Sequence, residues 1–487
     1  MSDPSSEAED RNEVSSVRPC PDCSLPVDVI LESKDGVRFA AHSKNLENYS
    51  EGFPPAIFVS SSEVTPIVQI EEHSETVQLL LGFMHLKRQP QVAKLSFAVL
   101  DALANAAEKY FIHSAIQLCQ VFMAKNVEQH PIEVLHYAAK HSYKSLANRV
   151  AFLTLDYTFE DMKAKFEPDS RIPYLWLAYK ERWMVALRSL LTSQPPAGNL
   201  HKGGVQSCDL WWPFYVAVLH DVGSSLVHLR DFETTVSRNL AEIEACWQCS
   251  QRAIRWGNTT AAKCEGTWYS ALENHSELIT RHHDSASFES TLTPSIIMAD
   301  SSSDAENEVS SIRPCPDCNL PVDIILKSGD GIKFSAHSKN LENYSEGFPP
   351  AIFTSSSGVT PIVQIEEQSD IVELLLGFMH LKPQPEISNL PITVLEALAN
   401  AAEKYFIHSA IPICKVYMTK ESLEYPIEVL RYAAKHNYKS LADEAAPHTL
   451  DYTFEDVKPK FEPESRIPYL WVLRLSEVNL IMKIVGV

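Results

Sequence analysis

The sequence predicts an α+β protein built twice over, and three observations carry that expectation. Short runs of alternating β-branched residues open each half and give way to long helical periodicity, the pattern of a small sheet with helices around it. Arg18-Pro-Cys-Pro-Asp-Cys23 returns as Arg313-Pro-Cys-Pro-Asp-Cys318, and Ile172-Pro-Tyr-Leu-Trp176 returns as Ile467-Pro-Tyr-Leu-Trp471. Both pairs are displaced by 295 positions, so the copies align without a gap. About three-quarters of the aligned positions are identical, far beyond what a solenoid repeat shows. The second copy departs after Trp471, which leaves residues 177 to about 290 without a counterpart. A tandem gene fusion and the merging of two neighbouring reading frames both produce this pattern.

Within one copy the elements follow in order. The first dozen residues are polar and rich in Ser and Glu, the composition of a disordered leader. Pro19, Pro21 and Pro26 forbid helix and set up Val27-Asp-Val-Ile-Leu31 as a strand. Lys34-Asp-Gly36 is an Asp-Gly turn leading into a second strand, Val37-Arg-Phe-Ala40. From His42 the apolar positions Leu46, Tyr49 and Phe53 mark a helix that Pro54 and Pro55 end. Pro66-Ile-Val-Gln-Ile70 is a third strand. Residues 75–86 place Val77, Leu80, Leu81 and Met84 on one side of a helix, and residues 95–110 do the same with Val99, Leu100, Leu103, Ala106 and Ala107. A further helix covers 114–125. Pro131 opens another at its first turn, and a helical pair runs on to about Phe159. In the unique stretch, residues 242–255 read as one helix, and its aromatic residues, Trp211 to Tyr215, Trp247, Trp256 and Trp268-Tyr269, read mainly as core.

Composition limits the function. The chain has 487 residues, 45% hydrophobic and 22% charged, enough for several packed cores. Its formal net charge of −21 disfavours nucleic-acid binding over a broad surface. No run approaches the ~20 apolar residues of a membrane helix, and the acidic N-terminus lacks the features of a signal peptide. Ten cysteines are too sparse for a disulfide scaffold and are expected as reduced thiols. The chain therefore reads as intracellular, cytoplasmic and/or nuclear. Catalytic motifs are missing: no Gly-x-Ser-x-Gly elbow, Walker A loop, Gly-x-Gly-x-x-Gly or His-Glu-x-x-His occurs.

The order of elements, with these side chains, resembles the BTB/POZ domain. That family's signature is an Asp-bearing strand, a hairpin, and His-Lys-x-x-Leu-x-x-x-Ser-x-x-Phe. Asp28, His42, Leu46, Ser50 and Phe53 hold the pattern here, and Asp323, His337, Leu341, Ser345 and Phe348 repeat it. Leu79-Leu-Leu-Gly-Phe-Met-His85 and the Leu100, Leu103, Ala106, Lys109-Tyr110 and Cys119 series match later parts of the family. The style is similar to BTB proteins of mushroom-forming fungi. The resemblance implies two BTB/POZ-like clusters, each a short mixed sheet flanked by helices and followed by a helical extension. Expected boundaries are a leader over 1–18, a first domain over 19–125 and its extension over 126–190. A unique helical segment with Trp and Cys residues follows over 191–290, then a linker over 291–312, a second domain over 313–420 and a truncated extension over 421–487. Ser43 stands where the family carries a basic residue, which weakens the case for a charged pocket. No helix precedes Asp28, so the usual exchange across a dimer is not implied.

No catalytic residue and no cofactor is assigned. Zinc is the one candidate. Cys20 and Cys23, like Cys315 and Cys318, are CxxC pairs, each half of a tetrahedral site. If the copies pack together, four thiolates close one site between them; the alternative is a reduced pair in a flexible leader. His42 and His337 read as structural. Cys208, Cys246, Cys249 and Cys264 form a second, loosely spaced set in the unique stretch. The expected function is a non-enzymatic protein–protein interaction module working by self-association, either of its two copies as an intramolecular pseudo-dimer or as a homodimer. Apolar helix faces such as Leu79, Leu80 and Met84 supply the docking surface. The resemblance extends this to an adaptor for a cullin-3-type ubiquitin ligase. The alternative is a zinc-containing transcriptional or chromatin regulator acting through protein contacts.

Overall fold

The computed structural model describes residues 17–20, 25–53, 65–166, 170, 172–192, 195, 201, 208–223, 225–264, 312–315, 320–348, 360–449, 452 and 460. Cys23, Cys318, Trp268-Tyr269, Trp471 and most of the leader and final extension lie outside these residues. The chain forms two compact units, one of Met1–Gln120 with Ser303–Val487 and one of Val121–Ser302.

In the first unit, strand β1 (Val29–Glu32) pairs antiparallel with β2 (Arg38–Ala41), Val29 opposite Ala41 and Glu32 opposite Arg38. The Asp-Gly signal is honoured: Gly36 sits at φ +78°, a conformation open to glycine, and Ser33 exchanges backbone and side-chain bonds with Val37. Strand β3 (Ile67–Gln69) joins the other edge of β1 in parallel, giving a mixed sheet of order β2-β1-β3. Val29 and Leu31 point into the core while Arg18, inside the expected leader, bridges Phe39 on the outer edge of β2.

Helix α1 (Ser43–Tyr49) ends before the prolines expected to stop it. Ser50 is already extended; its N–H bonds Leu46 O and its hydroxyl donates to Tyr110 O at 2.5 Å. Helix α2 (Ser74–Phe83) and a 3-10 turn at Val92–Lys94 precede α3 (Phe97–Tyr110) and α4 (His113–Lys125). Leu80 and Met84 are 2% and 1% exposed, so two of the three residues expected on the docking face are core. Their helix packs its apolar side inward because a three-stranded sheet alone cannot cover it.

The second unit is helical, with α5 (Pro131–Lys140), α6 (Lys144–Ala151), α7 (Phe159–Lys163) and α8 (Ile172–Thr192). Thr158 and Asp161 form a reciprocal capping box that starts α7. Trp176 is fully buried, its Nε1–H donating to Thr154 Oγ1 at 2.8 Å. Helices α9 (Trp211–Val222), α10 (Phe232–Asn239) and α11 (Trp247–Cys264) follow. Their core is aromatic, as expected: Trp256 stacks on Tyr215 at 5.2 Å and meets Phe232 edge-on at 4.9 Å. Trp212 and Trp247 instead face outward, 59% and 64% exposed. The helix expected over 242–255 is broken: a 3-10 turn at Leu240–Ile243 ends, and α11 starts anew, with Ser250 N–H bonding Cys246 O.

Returning to the first unit, the second copy repeats the first. Strands β4 (Ile324–Lys327), β5 (Lys333–Ala336) and β6 (Ile362–Gln364) form a sheet of order β5-β4-β6 with the same antiparallel and parallel registers. Its helices are α12 (Ser338–Tyr344), α13 (Ser369–Phe378), α14 (Ile392–Lys404), α15 (Ala410–Lys420), α16 (Pro426–Lys435) and α17 (Lys439–Ala445). Two three-stranded mixed sheets, each flanked by helices, are thus present. Among the described residues no helix is long and apolar enough to cross a membrane.

Candidate interaction seam and metal-ligating clusters

The signature residues have distinct physical tasks. Asp28, exposed at the start of β1, accepts from Ser43 N–H at 2.7 Å and Ser43 Oγ at 2.5 Å, so it caps α1. Ser43 thus takes up the carboxylate through hydrogen bonds where a basic residue would offer charge. Asp323 and Ser338 do the same at 2.8 and 2.5 Å. Leu46 and Leu341 are core, and Ser50 and Ser345 hold the carbonyls of Tyr110 and Tyr405. Phe53 stacks flat on Tyr110 at 4.5 Å, as Phe348 does on Tyr405. Tyr110 in turn donates to Glu72 at 2.6 Å, while Lys109 reaches Glu71 at 2.8 Å and Glu72 at 3.0 Å. Burial and the Glu72 carboxylate push the Tyr110 hydroxyl well above its ordinary range. The Glu71 side chain is solvated, 88% exposed, whereas that of Glu72 is only 10% exposed.

The two copies meet through α1 and α12. Tyr49 donates its hydroxyl to Asn343 O, and Tyr344 donates to Asn48 O. The two rings cross edge-on at 5.2 Å. This is an isologous arrangement, each side giving and receiving the same bond. Burial pushes both phenol groups well above their ordinary range, so both donate throughout the physiological span. Gln117 Nε2 adds a bond of 2.7 Å to Pro385 O. Lys44 faces Lys339 across the seam, and that neighbour holds the Lys339 ammonium below its usual range. A crevice beside the two tyrosines is walled by Phe83, His85, His408 and Ser409.

Each copy also gathers a cysteine and two histidines. Donor atoms of Cys20, His42 and His85 lie within 4.8 Å of one another, and those of Cys315, His337 and His380 do likewise. Cys20 Sγ is 2.8 Å from His85 Nε2, and Cys315 Sγ is 2.8 Å from His380 Nε2. The ring orientations are fixed from behind: His42 Nδ1 meets Pro26 O at 2.8 Å and His85 Nδ1 meets Leu81 O at 2.6 Å. Carbonyls on Nδ1 leave Nε2 as the ligating atom, the usual support for a metal-bound histidine. His42 Nε2 is buried without a hydrogen-bond partner. Burial depresses His85 and His380 below the ordinary imidazole value, which keeps their rings neutral. Among the described residues, the donor atoms gathered around Cys20 belong to its own copy, and the histidine read as structural is one of them; Cys23 and Cys318, on which the four-thiolate expectation depends, lie outside the described residues.

The unique stretch holds the fullest set. His201, Cys208, Cys246 and Cys249 place four donor atoms within 4.8 Å of one another, Cys249 being fully buried. Cys246 Sγ is 3.2 Å from His201 Nδ1. Desolvation raises the Cys246 thiol, but bonds from Cys249, Cys208 and the Gln248 backbone outweigh it and leave the net value lowered. Burial, with both neighbouring thiols, pushes Cys249 up to about 12. Cys264, the other cysteine expected here, is placed by its backbone alone. It ends α11, fifteen residues and therefore about 22 Å along the helix axis from Cys249. Among the described residues, His201 is the fourth member of the cluster. Its only sequence signal is a histidine seven positions before Cys208, too weak to single out among 18 histidines. These clusters are able to coordinate a metal such as zinc.

Comparison with known proteins agrees with the geometry of the first copy. Residues 20–127 match the BTB/POZ domain family. No curated protein matches the chain at a significant level. The stretch from 20 to 127 thus matches the BTB/POZ domain, generally a module of protein–protein interaction, and the second sheet with its helices repeats that arrangement in outline.

Proposed function

We propose that the chain is a non-enzymatic interaction module in which two BTB-like copies pair with each other and present a joint surface to protein partners. The observation that carries this is the reciprocal exchange of tyrosine hydroxyl bonds between α1 and α12. Tethering on one chain raises the effective concentration of each copy for the other, so pairing within the chain outcompetes pairing between chains. Partners are proteins, with a cullin-3-type scaffold as the assembly an adaptor of this kind serves. An intracellular location, cytoplasmic and/or nuclear, follows from that role. Light scattering across a concentration series tests the pairing: a constant single-chain mass with a compact radius supports it, and concentration-dependent dimers of extended shape overturn it. Calorimetric titration with a purified cullin-3 scaffold tests the ligase role, and no heat of binding removes it.

A second reading, a zinc-containing transcriptional or chromatin regulator acting through protein contacts, draws on the cysteine–histidine clusters, Cys20 and Cys315 with their neighbouring histidines among them. Recovery of chromatin factors instead of cullin in affinity purification favours it.

A further inference from the structure

We propose that His201, Cys208, Cys246 and Cys249 form a closed, structural zinc site of the Cys₃His type that ties the starts of α9 and α11 together. The inference is independent of the BTB reading, since all four ligands lie in the other unit. Three features of the geometry support it. The donor count is complete: four protein ligands around one point is the number a structural zinc ion takes, with no place left for water or substrate. The spacing fits. Zinc–sulfur bonds of about 2.3 Å and zinc–nitrogen bonds of about 2.0 Å put neighbouring ligand atoms about 3.5–3.8 Å apart. The observed donor atoms all lie within 4.8 Å, and the Cys246–His201 contact is 3.2 Å. An ion enters with sub-ångström to ångström adjustments of side chains.

The third feature is the framework. Cys246 immediately precedes α11, its carbonyl accepting from Ser250 N–H, and Cys249 follows three residues later, so both thiols lie at one helix start. Cys208 O accepts from Trp211 N–H at 3.0 Å, which anchors that ligand at the start of α9. Arg252, one turn beyond Cys249, bonds Pro195 O through Nε at 2.9 Å and lies 3.8 Å over the Trp211 ring. It therefore holds Pro195 and the start of α9 against the helix that carries Cys249. Three thiolates and one divalent ion leave one net negative charge, which the Arg252 guanidinium and the positive end of α11 offset. Soft thiolate donors select zinc over magnesium or calcium. Zinc binding releases the thiol protons to solvent.

Elemental analysis of the purified full chain tests the proposal against the Cys246→Ser/Cys249→Ser variant. One zinc per chain fewer in the variant is expected, whatever the other two clusters contribute. To separate loss of zinc from loss of fold, the parent chain gives a second readout, alkylation mapped by mass spectrometry before and after chelation. Cys208, Cys246 and Cys249 should be protected together and become reactive together when zinc is removed. The proposal is overturned by equal zinc in parent and variant, by reactivity that ignores the chelator, or by a Cys246–Cys249 disulfide in the purified chain.

Discussion

Replacing Tyr49 and Tyr344, singly and together, measures whether the two copies hold each other. Tyr344 is 9% exposed, and Tyr49 is half-buried against it. Truncating either to alanine removes one hydroxyl bond, worth about 0.5–1.5 kcal/mol, and strands a backbone carbonyl. It also removes a partly buried ring, and the sum is about 2–4 kcal/mol for each single variant. The decisive quantity is the departure from additivity. Either truncation alone already destroys the ring pair, whose coupling is about 0.5–1.5 kcal/mol, so the double variant should lose less than the two singles combined by about 1 kcal/mol. The assay is hydrogen exchange of the slow amides in α1 and α12 in the full chain, because a chain of two units need not unfold in one step. Additivity within about 0.3 kcal/mol, as for residues more than 7–10 Å apart, would refute the pairing of α1 with α12.

Other perturbations have expected outcomes of their own. Lys339→Glu converts the repulsion with Lys44 into attraction, so protection of α12 should rise in low salt and the gain should shrink as salt screens it; no salt dependence counts against the seam. Gly52→Ala should cost more than 2 kcal/mol in thermal denaturation, because a Cβ there meets Tyr110 Cα at 2.5 Å and backbone cannot yield as a side chain does. A neutral result would mean that the turn after α1 and the end of α3 approach less closely. His141 is held at about 4, below its ordinary 6.5, chiefly by burial and then by Lys140 and His136. A folded value below the unfolded one favours the neutral ring, so this stability is complete above about 6.5 and is lost as pH falls towards 4. The loss is up to about 3 kcal/mol before discounting for the ring's partial exposure. His141→Gln should flatten that part of the stability–pH curve.

Most of the fold could be read from local signals because each element carries its own. Val29 and Leu31 alternate with outward neighbours, Asp35-Gly36 supplies the one turn geometry that closes the hairpin, and Pro131 marks the first turn of α5. Boundaries failed where a distant partner decides them. Nothing near Ser50 in sequence foretells that the Tyr110 carbonyl draws its hydroxyl and ends α1 ahead of the prolines. The docking face failed for a similar reason. Leu79, Leu80 and Met84 are apolar whether they face a partner or their own sheet, and periodicity cannot tell which. The seam is instead built by Tyr49 and Tyr344, whose hydroxyls bond backbone carbonyls of the other copy, and a carbonyl has no residue-specific signature.

The ligand clusters show most clearly where pattern reading stops. A CxxC cysteine pair advertises half of a tetrahedral site, and the expected completion used only cysteines: the other copy's pair for Cys20 and Cys23, Cys208 with Cys264 for Cys246 and Cys249. Among the described residues, histidines join both clusters, His42 and His85 beside Cys20 and His201 beside Cys208, Cys246 and Cys249. The separations are large, 65 residues from Cys20 to His85 and 45 from His201 to Cys246, so only the folded backbone brings them together. A structural role for His42 and a ligating role are also not alternatives. The bond from its Nδ1 to Pro26 O, which makes the ring look like a packed core group, is what turns Nε2 towards Cys20 and His85. The His85 ring both approaches Cys20 and walls the crevice beside Tyr49 and Tyr344. An ion held there would fix that ring in place, and with it one wall of the surface on which the two copies meet.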